Sequence, residues 1–177
     1  MYFLSKIKVL ALSFLLLLLL GCSLKKTREQ EKIETGERKV QIMGITIESA
    51  WSYKYDLDSG IYTVYFMSKE PVEVKFYLSK EEKEEVFKKC HSLKLNNNTK
   101  EINFDGNCPN LPTLYQTLLI RSAESSQKIK VSSSCDYSNT PDGHKAGQVM
   151  EFINWVTDLV GSKPEVKAAP ESDIIYY

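Results

Sequence analysis

From residue 40 onward, apolar and polar positions alternate with a period of two, the spacing of a strand with one face to a core and one to water. Residues 40–48 read as a first strand. Trp51, Tyr53, Tyr55 and Leu57 then alternate with polar neighbours up to the turn residues Asp58-Ser59-Gly60. Residues 61–67 follow as the return arm of a hairpin, which Glu70-Pro71 breaks. Val72, Val74, Phe76 and Leu78 alternate with Glu73, Lys75 and Tyr77. The simplest arrangement of these four strands is an antiparallel meander.

The period changes at Ser79. Ser79-Lys80-Glu81-Glu82 has the capping-box arrangement, in which the serine oxygen accepts an orphan backbone N–H and a glutamate reaches back to the cap. Val86, Phe87, Cys90 and Leu93 follow at helical spacing with lysines and glutamates opposite, so one stripe of this helix lies on the sheet, and Asn96-Asn97-Asn98 ends it. Residues 101–104 predict a short strand, and residues 113–122 and 128–134 a second hairpin around 123–127. Thr140-Pro141-Asp142 predicts a helix start, with Thr140 as cap and Pro141 in the first position. Val149, Phe152, Ile153, Val156 and Val160 form its apolar stripe, widened by Met150, Trp155 and Leu159, until Gly161 and Pro164 stop it. The sum is an α+β domain over residues 40–162: an antiparallel sheet of six or seven strands with two helices packed on one face. In the tail, residues 163–177, the apolar end Ile174-Ile175-Tyr176-Tyr177 reads as an added edge strand or a segment docked in a groove, ahead of a partner-binding motif.

Upstream of this domain the pattern is different in kind. Lys6 and Lys8 precede an apolar run over residues 9–20, interrupted only by Ser13 and followed by Gly21 and Cys22. The run is shorter than the roughly 20 residues that span a bilayer and has the parts of an export signal. Leu19-Leu20-Gly21-Cys22 resembles the lipobox of bacterial lipoproteins: Leu19 holds the aliphatic place, Gly21 the small residue before the cut, and Cys22 the thiol that is alkylated and becomes the new N-terminus. Leu20 is bulkier than the residue usual at its place. The resemblance covers residues 1–23 only. It implies a signal peptide over 1–21, cleavage between Gly21 and Cys22, and a membrane partner reached through acyl chains on Cys22. Ser23, where some bacterial lipoproteins carry a retention aspartate, implies the outer membrane in a cell that has one. Residues 22–39, nearly free of apolar side chains and mixed in charge, read as a flexible tether.

Composition adds little to this picture but removes several classes of function. Without the leader and its two lysines, 21 basic side chains face 23 acidic ones, so no cationic excess points to nucleic acid. Ten tyrosines and seven phenylalanines fit a sheet-rich fold. No cofactor motif is present. Two histidines far apart and no paired-cysteine spacing argue against a zinc site.

Once lipid takes Cys22, three cysteines remain. Cys90 lies on a helix stripe as a small hydrophobe. Cys108 and Cys135 flank the second hairpin, whose outer ends meet, so a Cys108–Cys135 disulfide is expected; spacing alone leaves pairings of Cys90 with either one open. Cys90 and His91 point about 100 degrees apart on a helix and do not form a nucleophile–base pair. His144, with Asp136 nearby in sequence, is the candidate general base of a hydrolase, although no serine or cysteine stands in a motif context. The aromatic row Trp51, Tyr53, Tyr55, Tyr62 and Phe66 reads first as core and second as an exposed stacking platform for sugar or peptide. The expected function is therefore an envelope lipoprotein that binds a protein, peptide or glycan, with a periplasmic or surface hydrolase as the alternative.

Overall fold

The computed structural model describes residues 42–95, 99–104, 106–109 and 113–174. The lipobox residues Gly21 and Cys22, the tether, the Asn96–98 stop and Ile175-Tyr176-Tyr177 lie outside the described residues. The rest forms one α+β unit: a seven-stranded sheet in the order β4-β3-β2-β1-β6-β7-β5. Strands β1 (Ile42–Ser49), β2 (Tyr53–Asp56), β3 (Ile61–Val64) and β4 (Val72–Lys75) make the expected antiparallel meander. Its second turn is closed by Asp56, whose carboxylate accepts the N–H groups of Asp58 and Ser59, and by Gly60 at φ +66°. A Cβ on Gly60 would stand 2.5 Å from the Phe76 carbonyl oxygen, so the close approach requires glycine there.

Helix α1 (Lys80–Ser92) then crosses from the β4 edge to β5 (Glu101–Asn103) on the opposite edge. Its capping box is complete: Ser79 Oγ accepts from Glu82 N–H, and the Glu82 carboxylate accepts from Ser79 N–H at 2.8 Å. The second hairpin, β6 (Gln116–Ser122) and β7 (Ser126–Val131), inserts between β1 and β5. The sheet is mostly antiparallel, as expected, with one exception. β5 pairs with β7 in parallel, because α1 delivers the chain to the far edge before the hairpin that fills the gap is made.

Helix α2 (Gly143–Gly161) begins later than Thr140-Pro141 predicts. The Thr140 hydroxyl donates to the Tyr137 carbonyl at 2.9 Å, so it serves the preceding turn and no side chain caps α2. Pro164 does not only end that helix: it opens the short α3 (Pro164–Lys167), whose Val166 is buried.

The two long helices cover one face of the sheet. Ile45, Ile47, Tyr55, Leu118, Ile129 and Val131 point toward it and pack against Val86 and Cys90 of α1 and Val149, Ile153 and Val156 of α2. The other face carries Thr46, Glu48, Lys54, Thr117, Arg121, Lys128 and Lys130, the out-of-phase positions of the same strands. No helix among the described residues is long and apolar enough to cross a membrane.

Candidate functional site

The aromatic row divides between the two faces. Tyr53, Tyr55 and Tyr62 form a ring cluster beneath the helices, with centroids 4.9 Å apart for Tyr53–Tyr55 and 5.0 Å for Tyr55–Tyr62. Burial pushes the Tyr55 phenol up, and the neighbouring tyrosines add to that, so it stays neutral. Trp51 and Phe66 instead join a groove of about 990 Å³ on the side of the sheet without helices.

This groove is built from strand ends. Tyr65 and Phe66 leave β3, Tyr115 and Thr117 lead into and along β6, Lys128 and Lys130 project from β7, and Glu48 comes from β1. Ile174 of the tail lines it as well. Two backbone bonds hold its upper rim: Ala50 N–H to the Tyr115 carbonyl at 3.1 Å and Tyr65 N–H to the Ser52 carbonyl at 2.9 Å. Aromatic side walls with lysine, glutamate and hydroxyl groups between them suit a ligand that offers flat apolar surface and polar edges.

Trp51 is the one wall residue held against its own backbone preference. Residues 49–52 make a tight turn closed by Ser52 N–H to the Ser49 carbonyl at 3.2 Å, with Trp51 at φ 70°. That left-handed position is where such turns ordinarily place glycine, and a bulky side chain there is strained by roughly 1–2 kcal/mol. The indole gains no compensating burial, since it is 72% exposed. Neither a protein-family model nor a curated protein matches the chain.

Next to the groove, Arg121 ties three strands together on the same face. Its Nη1 donates to Thr46 Oγ1 at 2.8 Å and its Nη2 to Asp56 Oδ1 at 3.3 Å. Gly44 makes room for it: a Cβ there would stand 2.9 Å from Nη2.

The remaining candidates do not assemble. His144 is exposed at the start of α2, while the Asp136 carboxylate accepts from Ser138 N–H, a bond that holds its acid below the ordinary range. Among the described residues no hydrogen bond or ion pair joins the two, and no group of three or more His, Cys, Asp or Glu side chains is gathered as a metal site would need. Cys108 and Cys135 form the expected disulfide, their Cα atoms 4.2 Å apart, beside the two-bond bridge between Asn107 and Asp136. Cys90 is a buried free thiol, pushed up to about 12 by burial. Trp51 and Phe66 belong to the row that alternation marks first as core and second as a platform, whereas Tyr65 and Tyr115, inside the predicted strands 61–67 and 113–122, carry no signal that separates them from strand residues.

Proposed function

We propose that this chain is an exported lipoprotein, anchored through acyl chains on Cys22, whose domain is a binding module that presents the groove at the envelope surface. The observation that carries the binding reading is Trp51, a large aromatic kept in a strained, exposed position at a groove with further aromatic walls. Strain of this kind persists where function requires it. The basic start, the short apolar run and Leu19-Leu20-Gly21-Cys22 support the anchor. In the binding role Trp51 and Tyr115 supply stacking surface, and Glu48, Thr117, Lys128 and Lys130 supply polar contacts that fix orientation.

A photo-crosslinking residue placed at Trp51 in the full-length, membrane-anchored chain tests this reading. The expected outcome is a discrete adduct, protein or cell-wall glycan, that the same probe at Tyr77 does not give. Tyr77 is 77% exposed but does not line the groove. Equal labelling from both positions, or none from Trp51, would set the reading aside.

A further inference from the structure

The tail of the chain returns to the groove in a way that names a class of ligand. Beyond α3, Ser172 Oγ donates to the Tyr65 carbonyl at 2.7 Å. Asp173 Oδ1 accepts from Met67 N–H at 2.8 Å, and its Oδ2 accepts from Ser68 Oγ at 3.1 Å. Residues 105 to 107 positions apart in sequence are thus pinned together by the tail's own side chains along the segment that leaves β3. Two of the groups so occupied are backbone groups, an N–H and a C=O that a neighbouring strand would otherwise take. Directly after these anchors, Ile174 lines the groove.

We infer that the groove is a site for short extended peptides with apolar and aromatic side chains, and that its resident occupant is the chain's own segment Ile174-Ile175-Tyr176-Tyr177. This rests on the binding-module reading and specifies its ligand and its regulation. Three further residues follow Ile174 in the sequence, and an extended chain covers at most about 10 Å in three residues. That length is two of the three strand spacings that separate the end of β3, beside Tyr65, from the start of β6, beside Tyr115. The chemistry of the segment matches the wall it would meet: a branched aliphatic and two tyrosines against Tyr65, Phe66 and Tyr115. Asp173 acts as the anchor, since its carboxylate takes both an N–H and a hydroxyl outside the groove.

The consequence is competition. An external peptide of like chemistry binds only the fraction of molecules whose tail has left, and its apparent affinity falls by that fraction. Trp51 stays exposed on the remaining wall, as a first contact for such a competitor.

Binding of a fluorescently labelled Ser-Asp-Ile-Ile-Tyr-Tyr peptide to the full chain, to a chain ending at Glu171, and to full-length Asp173→Ala tests the inference. The peptide is expected to bind the shortened chain and to bind the full chain about tenfold more weakly, which corresponds to a tail seated nine-tenths of the time. Asp173→Ala, which retains every residue of the domain, should recover most of that difference. Equal affinity for all three chains, or no binding to any, would overturn the inference. This outcome is independent of the adduct at Trp51: a peptide-negative, adduct-positive protein keeps its binding role and loses its tail as occupant, and the reverse retires the external partner alone.

Discussion

At the scale of single residues, the face away from the helices is held by side chains that act against expectation. If Trp51 is kept for recognition rather than packing, Trp51→Asn should leave stability unchanged or raise it by up to about 1 kcal/mol, because asparagine tolerates the left-handed position. Urea unfolding would read this, and a loss above 1 kcal/mol would mean that the indole supports the fold. The alternation of Trp51 with Tyr53 and Tyr55 suggested one continuous strand. A tight turn over residues 49–52 intervenes, and it contains no glycine or proline to mark it. Gly44 is the converse case, a small residue in a strand whose reason lies in a non-local contact. Gly44→Ala would displace the Arg121 guanidinium from Thr46 and Asp56 and destabilise by about 1 kcal/mol, a modest figure because the ion pair is partly exposed. In an Arg121→Ala background the same substitution should have little effect, so the two changes are non-additive in a double-mutant cycle.

At the scale of elements, the two long helices are tied at both ends by lysines. Lys145, in the first turn of α2, donates to the Leu93 carbonyl at 2.7 Å and satisfies the end of α1. Lys163, just past α2, donates to both oxygens of Glu82 at 2.7 Å, and Glu82 also closes the capping box of α1. The Lys163 contact and the Ser79 N–H hold the Glu82 acid below its ordinary value. A carboxylate with a lowered native value stabilises the fold above the ordinary range and loses that contribution as the pH falls through the lowered value. Lys163→Met should therefore destabilise by about 1 kcal/mol at pH 7, after allowance for partial exposure. The difference from the parent should shrink toward zero in denaturant titrations run at progressively lower pH. An undiminished difference at pH 3 would mean that Lys163 acts through packing of its stem. The capping box was legible in the sequence because its two reciprocal bonds join residues only three positions apart. The helix start at Thr140 was not, because residues 137–143 close two backbone turns first, Thr140 N–H to the Tyr137 carbonyl and Gly143 N–H to the Thr140 carbonyl. The parallel β5–β7 pair was also hidden, since register between strands joined by a whole crossover leaves no local pattern.

For the whole molecule, the four cysteines connect the fold to the proposed anchor. The Cys108–Cys135 bridge spans 27 positions and closes the segment that contains the inserted hairpin, a constraint of roughly 3 to 4 kcal/mol in the chain-entropy model. It was legible because a hairpin brings its flanks together whatever its exact register. Cys90 is 4% exposed, and burial pushes its thiol up to about 12, which disfavours the thiolate that thiol reagents require. If Cys22 carries lipid, the full-length protein should thus show no reactive thiol while folded. Unfolded without reductant it should show one, Cys90, if Cys22 carries lipid, and two if Cys22 is free. Cys22→Ser removes the ambiguity, since it must give one thiol in either case and should no longer incorporate labelled fatty acid. Two thiols in the unfolded parent, falling to one in Cys22→Ser, would place a free cysteine where the anchor was proposed. The proposed anchoring through acyl chains on Cys22 would then fall, and with it the argument for an envelope location.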